Sequence, residues 1–260
     1  MIKLYKKYHT LYWIFGIVFI IIAVIWALVF PDNAWMGLLI ILPLVLIDVV
    51  VFSNLAKTKF INEVMIYFHE CRINEFMTRL EALMGNRKEK GLKSCYSYLV
   101  SMGYAALGDY DKSYEMAQGI KVRNHMPEYY KRMADYYINQ SRFDKADEML
   151  DKLKISAGKQ INSAYKKTLM NFIGLRKHEI RVKKGDLSGA EEFYLGFLTG
   201  GDPLYLITRV SISWALGNVL ALKGDNERAK AYLMFASEHG KDSKYKKLAD
   251  DKITEIKLFG

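Results

Sequence analysis

Cysteine and proline are both scarce in this chain, with two of the former and four of the latter in 260 residues. Cys71 and Cys95 alone give no disulfide framework and no zinc spacing, and a reducing compartment keeps both as thiols. Both read as packing residues. Histidine is sparse as well: His9, His69, His125, His178 and His239 are scattered without ligand spacing, so neither a metal nor a cofactor is expected. Catalytic patterns are missing too. His69-Glu70-Cys71 lacks the second histidine that a metalloprotease helix needs four residues after the first. Ser163-Ala164-Tyr165-Lys166 fits S-x-x-K without the companion elements of those serine enzymes. Gly158-Lys159 has no phosphate-loop glycine before it and no Ser or Thr after it. With no nucleophile, base and orienting group at useful spacing, the chain reads as a binding protein, not an enzyme.

What the chain has in plenty is apolar sequence at one end. Leu11 to Phe30 and Ala34 to Ser53 are each about as long as the ~20 residues a helix needs to cross a bilayer. Only Pro31-Asp32-Asn33 separates them, so residues 11–30 and 34–53 are expected to form a tight transmembrane hairpin. Lys3, Lys6 and Lys7 precede the first run, Lys57 and Lys59 follow the second, and the turn carries no cation. Cations in short flanking loops stay on the cytoplasmic side, which places residues 1–10 and everything after the hairpin in the cytoplasm. Tyr8, Tyr12 and Trp13 would mark the inner interface, Trp26 and Trp35 the outer one. A cleaved signal peptide is the competing reading, but its apolar region runs only about 7–15 residues before small cleavage-site residues. The Lys-, Ile- and Tyr-rich usage suits a bacterial plasma membrane. Asp48 is the one acid inside a span and a functional candidate on that ground. It lies about four residues from the cytoplasmic end, ~6 Å deep at ~1.5 Å per residue, where it can reach the interface or meet Lys7, His9 or Tyr12.

The remaining sequence is soluble in character. Of 38 Lys+Arg and 28 Asp+Glu, the first 59 residues hold five and two, leaving an excess of +7 beyond them. The cations concentrate at Arg176-Lys177-His178, at Lys183-Lys184 and from Lys244 to Lys247, with no long basic arm. Apolar residues recur at three and four, the helical period. A punctuation also recurs: Gly108-Asp109-Tyr110-Asp111-Lys112-Ser113, Ser141-Arg142-Phe143-Asp144-Lys145-Ala146, Gly185-Asp186-Leu187-Ser188-Gly189-Ala190 and Gly224-Asp225-Asn226-Glu227-Arg228-Ala229. Each is a helix stop, a polar turn that can cap the next helix, and a small residue where two helices approach closely. Nine positions before the small residue stand Tyr104, Tyr137 and Leu220, and three before those Ser101, Ala134 and Gly217. Four after it come Leu150, Tyr194 and Leu233. The small positions 113, 146, 190 and 229 advance by 33, 44 and 39, near a ~34-residue period.

On these residues the segment 94–257 resembles the tetratricopeptide (TPR) family. The resemblance implies an all-α solenoid of helix-turn-helix repeats, closed by a capping helix from Lys244 to Leu258. Arg181 stands where an aromatic is usual, so the repeat around Gly185 departs from the pattern. Residues 54–93 read as connecting helices and a degenerate first repeat, with Tyr67, Phe76 and Leu80 in equivalent places. Because no Gly or Pro occurs between Pro43 and Gly85, the second span could run on into them. The family pattern places a protein-binding groove on the first helix of each pair: Cys95, Tyr98 and Met102, then Glu128, Lys131 and Asp135, then Phe172, Leu175 and Glu179, then Trp214 and Asn218. Tyr98, Phe172 and Trp214 could equally be core residues. The expected function is a membrane-tethered cytoplasmic adaptor that recruits a protein, with a membrane protein or a second copy of the chain among the candidate partners. The alternative is a basic surface that binds anionic lipid or nucleic acid without sequence specificity.

Overall fold

A computed structural model describes residues 2–31, 35, 58, 61–84, 90–201 and 203–259, and every regular element among them is helical. They fall into two compact units, Met1–Ile66 and Tyr67–Gly260. In the first, α1 (Ile2–Val29) is an uninterrupted helix of 28 residues, about 42 Å long at 1.5 Å per residue. Its apolar side chains are largely exposed, Ile20 at 60% and Leu28 at 77%, and Pro31 stands two residues beyond the end of the helix. Among the described residues no helix is long and apolar enough to cross a membrane. In α1 the described side chains begin at Ile14, inside the apolar run that starts at Leu11. The expected second span and Asp48 lie outside the described residues.

The second unit starts within α2 (61–69) and continues through α3 (Ile73–Met84), α4 (Lys90–Leu107), α5 (Tyr110–Ala117), α6 (Met126–Asn139), α7 (Phe143–Gly158), α8 (Ser163–Lys183), α9 (Ala190–Thr199), α10 (Leu206–Leu222), α11 (Asn226–His239) and α12 (Lys244–Phe259). Most successive helices pack on one another, most extensively α10 on α11 and α6 on α7, then α4 on α5 and α11 on α12. The four punctuation sites become one repeated device. The residue in the left-handed region is Gly108 (φ 88°), Ser141 (φ 54°), Gly185 (φ 86°) and Gly224 (φ 84°). The next residue's amide reaches back to the carbonyl of Tyr104, Tyr137, Arg181 and Leu220 at 2.8–2.9 Å, a Schellman stop. The position nine before the small residue therefore supplies the carbonyl that ends the helix, which a backbone oxygen can do with any side chain, Arg181 included.

A fifth copy occurs where the sequence punctuation is poor. Cys71 has φ 61°, and the Arg72 amide donates to the Tyr67 carbonyl at 2.9 Å. The second span therefore does not extend unbroken through 54–93, since α2 stops here and α3 begins two residues later. Cys in the left-handed position and Phe76 at the small-residue site hide this stop from the sequence.

The small residues do bring helices together. Ser113 donates its hydroxyl to the Ser101 carbonyl at 2.8 Å. A Cβ on Gly217 would lie 2.7 Å from Leu233 Cγ and 3.2 Å from the Ala229 carbonyl.

Closure of the unit is the feature that sequence reading does not supply. Asp242, in the turn before α12, accepts from the amides of Ile73 at 2.8 Å and Asn74 at 2.6 Å, across 169 and 168 residues of chain. Lys244 donates to the Tyr110 hydroxyl, and His69 stacks on Tyr205 with ring centroids 3.6 Å apart. Cys71, Ile73 and Ala106 share one hydrophobic core with Tyr194, Leu216, Leu233 and Ala249. The first helices of the unit thus pack against the last. α12 buries Tyr245, Ala249 and Ile256, so it is a closing element in contact with both ends of the array and more than the polar-faced cap expected.

Candidate functional site

Within this closed unit α8, α10, α12 and the α4–α5 turn surround a cavity of about 760 Å³. From α8 come Leu175, Arg176, Glu179 and Val182, from α10 Ile212, Trp214 and Asn218, and from α12 Lys244, Tyr245 and Leu248. The α4–α5 turn adds Gly108 and Tyr110. Gly108 suits this place twice over: it adopts φ 88°, and a Cβ there would lie 3.3 Å from Lys244 Cβ.

Beneath the wall lies a buried ion set. Asp135 on α6, 4% exposed in its side chain, accepts from Arg176 Nε at 2.6 Å and pairs with Arg132 Nη1 at 3.1 Å. Arg176 also pairs with Glu179 at 2.9 Å. Burial alone would raise the Asp135 carboxyl, but Arg176 and Arg132 beside it hold it below the usual carboxylate range. The same acids keep Arg176 charged against its own desolvation. Both carboxylates are therefore spoken for, and the set is costly to break because removing any partner leaves a buried charge uncompensated.

Lys244 is different. Its ammonium lies 4.6 Å from the Tyr110 ring centroid and 5.0 Å from that of Tyr245. Burial and the nearby Arg176 act to lower its pKa, but Tyr245, Tyr110 and the Asp135 carboxylate outweigh them and raise it above that of an ordinary lysine. Trp214 meets Tyr245 at 6.0 Å between ring centroids. The cavity thus combines an ammonium with several aromatic faces.

The residues expected to line a groove divide into separate groups. Leu175, Glu179, Trp214 and Asn218 stand on the cavity wall, and Asp135 sits below it. Glu128, Lys131 and Phe172 form a self-satisfied cluster: Lys131 pairs with Glu128 at 3.0 Å and lies 5.2 Å from the Phe172 ring centroid. Tyr165 donates its hydroxyl to Glu128 at 3.2 Å. Tyr98 is half-buried near His125, and so is Cys95. Met102, 8% exposed, is core and no groove residue, because α4 turns that face toward neighbouring helices.

Sequence reading missed Tyr110, Arg176, Lys244 and Tyr245 as site residues. A signal existed for two of them. The cation concentrations around Arg176, Lys183 and Lys244 to Lys247, distant in the chain, all reach this cavity. No group of three His, Cys, Asp or Glu among the described residues is arranged to hold a metal ion. Comparison with protein-family models, curated proteins and solved structures finds no match for the chain.

Proposed function

We propose that the chain is a membrane-tethered scaffold, held in a bilayer by its N-terminal apolar hairpin with both termini in the cytoplasm, whose TPR-like helices recruit a protein partner at the inner membrane face. The anchor is supported by the continuous helix of α1 and the apolar side chains it leaves exposed between Ile14 and Val29. In a bilayer such surface costs nothing to expose, whereas in water it would be a large aggregation-prone patch. The observation that carries the recruiting role is the convergence of Leu175, Glu179, Trp214 and Asn218, from the first helices of two separate hairpins, on one wall. Tethering raises the effective concentration of a weak binding surface without adding contacts. Binding, and no chemical turnover, is the activity in this reading.

The test is photo-cross-linking in native membranes with a benzophenone side chain at Trp214 and, separately, at Leu222, which is exposed and outside the cavity lining. A defined protein trapped from position 214 and not from 222 supports the scaffold. Equal trapping from both, or none from either, refutes it. Removing residues 1–53 should also release the chain from carbonate-washed membranes.

One surface feature favours the second reading, binding to anionic lipid. Between α7 and α8 Ile161 is fully exposed, and near the end of α7 Ile155 is 63% exposed, close in sequence to the exposed Lys154, Lys159 and Lys166. Apolar tips flanked by lysines suit a headgroup interface, each cation adding ~1 kcal/mol on an anionic leaflet. Loss of vesicle binding in Ile161→Ser, with binding that falls steeply with salt, would support it.

A further inference from the structure

We propose that the α8–α10–α12 cavity binds a small organic anion, with the charged head at Lys244 and a flat apolar body against Trp214 and Tyr245. The inference rests on the reading that this concave wall is where the unit binds, and adds to it a ligand class.

Charge comes first. The lining cations are Arg176, Lys183, Lys244 and Lys247, and the lining acids Glu179, Asp242 and Asp251. Arg176 is matched by Asp135 and Glu179, and Asp242 is occupied by the Ile73 and Asn74 amides. Lys244 has Tyr110 as its hydrogen-bond partner and feels the Asp135 carboxylate through space, while that carboxylate is itself held by Arg176 and Arg132. Lys244 is half-buried against the Tyr110 and Tyr245 rings, and an incoming anion can pair with it directly. Ser243, which also lines the cavity, has a buried Oγ with no hydrogen-bond partner.

Size and shape come next. About 760 Å³ falls within the ~300–1,000 Å³ of small-molecule sites, which are mostly apolar with a few placed polar groups. Trp214, Tyr245 and Leu175 provide the apolar share, and Asn218 a neutral polar contact.

The experiment is calorimetric titration of the full-length protein in detergent with 3-phenylpropanoate and with its neutral isostere 3-phenylpropanamide. The acid is expected to bind at least ~10-fold tighter than the amide, a difference of ~1.4 kcal/mol. Lys244→Met should abolish that preference, Lys244→Arg should keep it, and Lys154→Met, outside the cavity, should leave it unchanged, with helicity checked for each variant. A phenylphosphonate arm reports which anionic head is preferred. Equal binding of acid and amide, no binding of either at about 10 mM, or a preference that survives Lys244→Met overturns the inference. A partner still trapped from position 214 in that event leaves the scaffold reading standing and removes only the small ligand.

Discussion

Asp242→Ala should open the unit at its closure. The Asp242 carboxylate accepts two amide hydrogen bonds, at 2.8 Å from Ile73 and 2.6 Å from Asn74, and so caps a helix whose own preceding residue, Arg72, has no acceptor to offer. The other capped helices take their acceptor locally, Asp109 for α5, Asn162 for α8 and Asp225 for α11. Loss of a capping side chain costs ~0.5–2 kcal/mol, and bonds to an ionised acceptor lie at ~1.5–3 kcal/mol each before water replaces them. Asp242 is partly exposed, so water recovers part of this, and ~2 kcal/mol is expected for alanine. Asp242→Asn keeps one acceptor and should cost ~1 kcal/mol. For a unit of this size ~2 kcal/mol lowers Tm by roughly 4–8 °C. The assay is thermal unfolding of the full-length protein in detergent, followed by helical circular dichroism, with hydrogen exchange at the Ile73 and Asn74 amides. Asp251→Ala, an exposed acid, is the control. Unchanged Tm together with unchanged protection at residues 73 and 74 would refute the long-range cap.

Gly217→Ala should destabilise by ~1–3 kcal/mol, because its Cβ would overlap Leu233 at 2.7 Å. Gly196→Ala, in α9 with nothing within 4 Å of the added Cβ, should instead stabilise by ~0.5–1 kcal/mol, and denaturant unfolding distinguishes the two signs. The Asp135 carboxyl is held below its unfolded value, so its contribution is full above about pH 4 and is lost as pH falls through the lower folded pKa. Asp135→Asn should cost ~3–5 kcal/mol near neutrality by leaving Arg132 and Arg176 uncompensated. It should also flatten the acid side of a stability-against-pH curve. Burial pushes the Cys71 thiol up to about 11, and the residue is fully buried. Maleimide modification of Cys71 at pH 8 should therefore track global unfolding in mass spectrometry, and fast labelling of the folded chain would contradict its placement.

The punctuation of the array was legible because its chemistry is local. A Gly or Ser that adopts the left-handed region, an Asp that caps, and a small residue one turn later act through residues close in the chain, so Gly108, Gly185 and Gly224 do in space what their spacing implies. Ser113, Ala146, Ala190 and Ala229 are likewise buried where helices meet. The stop at Cys71 was illegible for a related reason. Its backbone bonds are the same, but Cys and Phe76 occupy positions where the side chain gives no hint, and the cap arrives from Asp242. Within the expected groove set, Glu128, Lys131 and Phe172 satisfy one another and Met102 is buried, which no local pattern shows.

Sequence alone determined the all-helical class, the apolar N-terminal run and the helix stops at Gly108, Ser141, Gly185 and Gly224, each set by periodicity or by backbone preferences within a few residues. Only the tertiary structure decided that the last helix returns to the first ones, and with it that Arg176, Lys244 and Trp214 face one cavity. Contacts between residues 134 and 169 positions apart depend on how several small helix-to-helix rotations accumulate. No local pattern of residues encodes that sum.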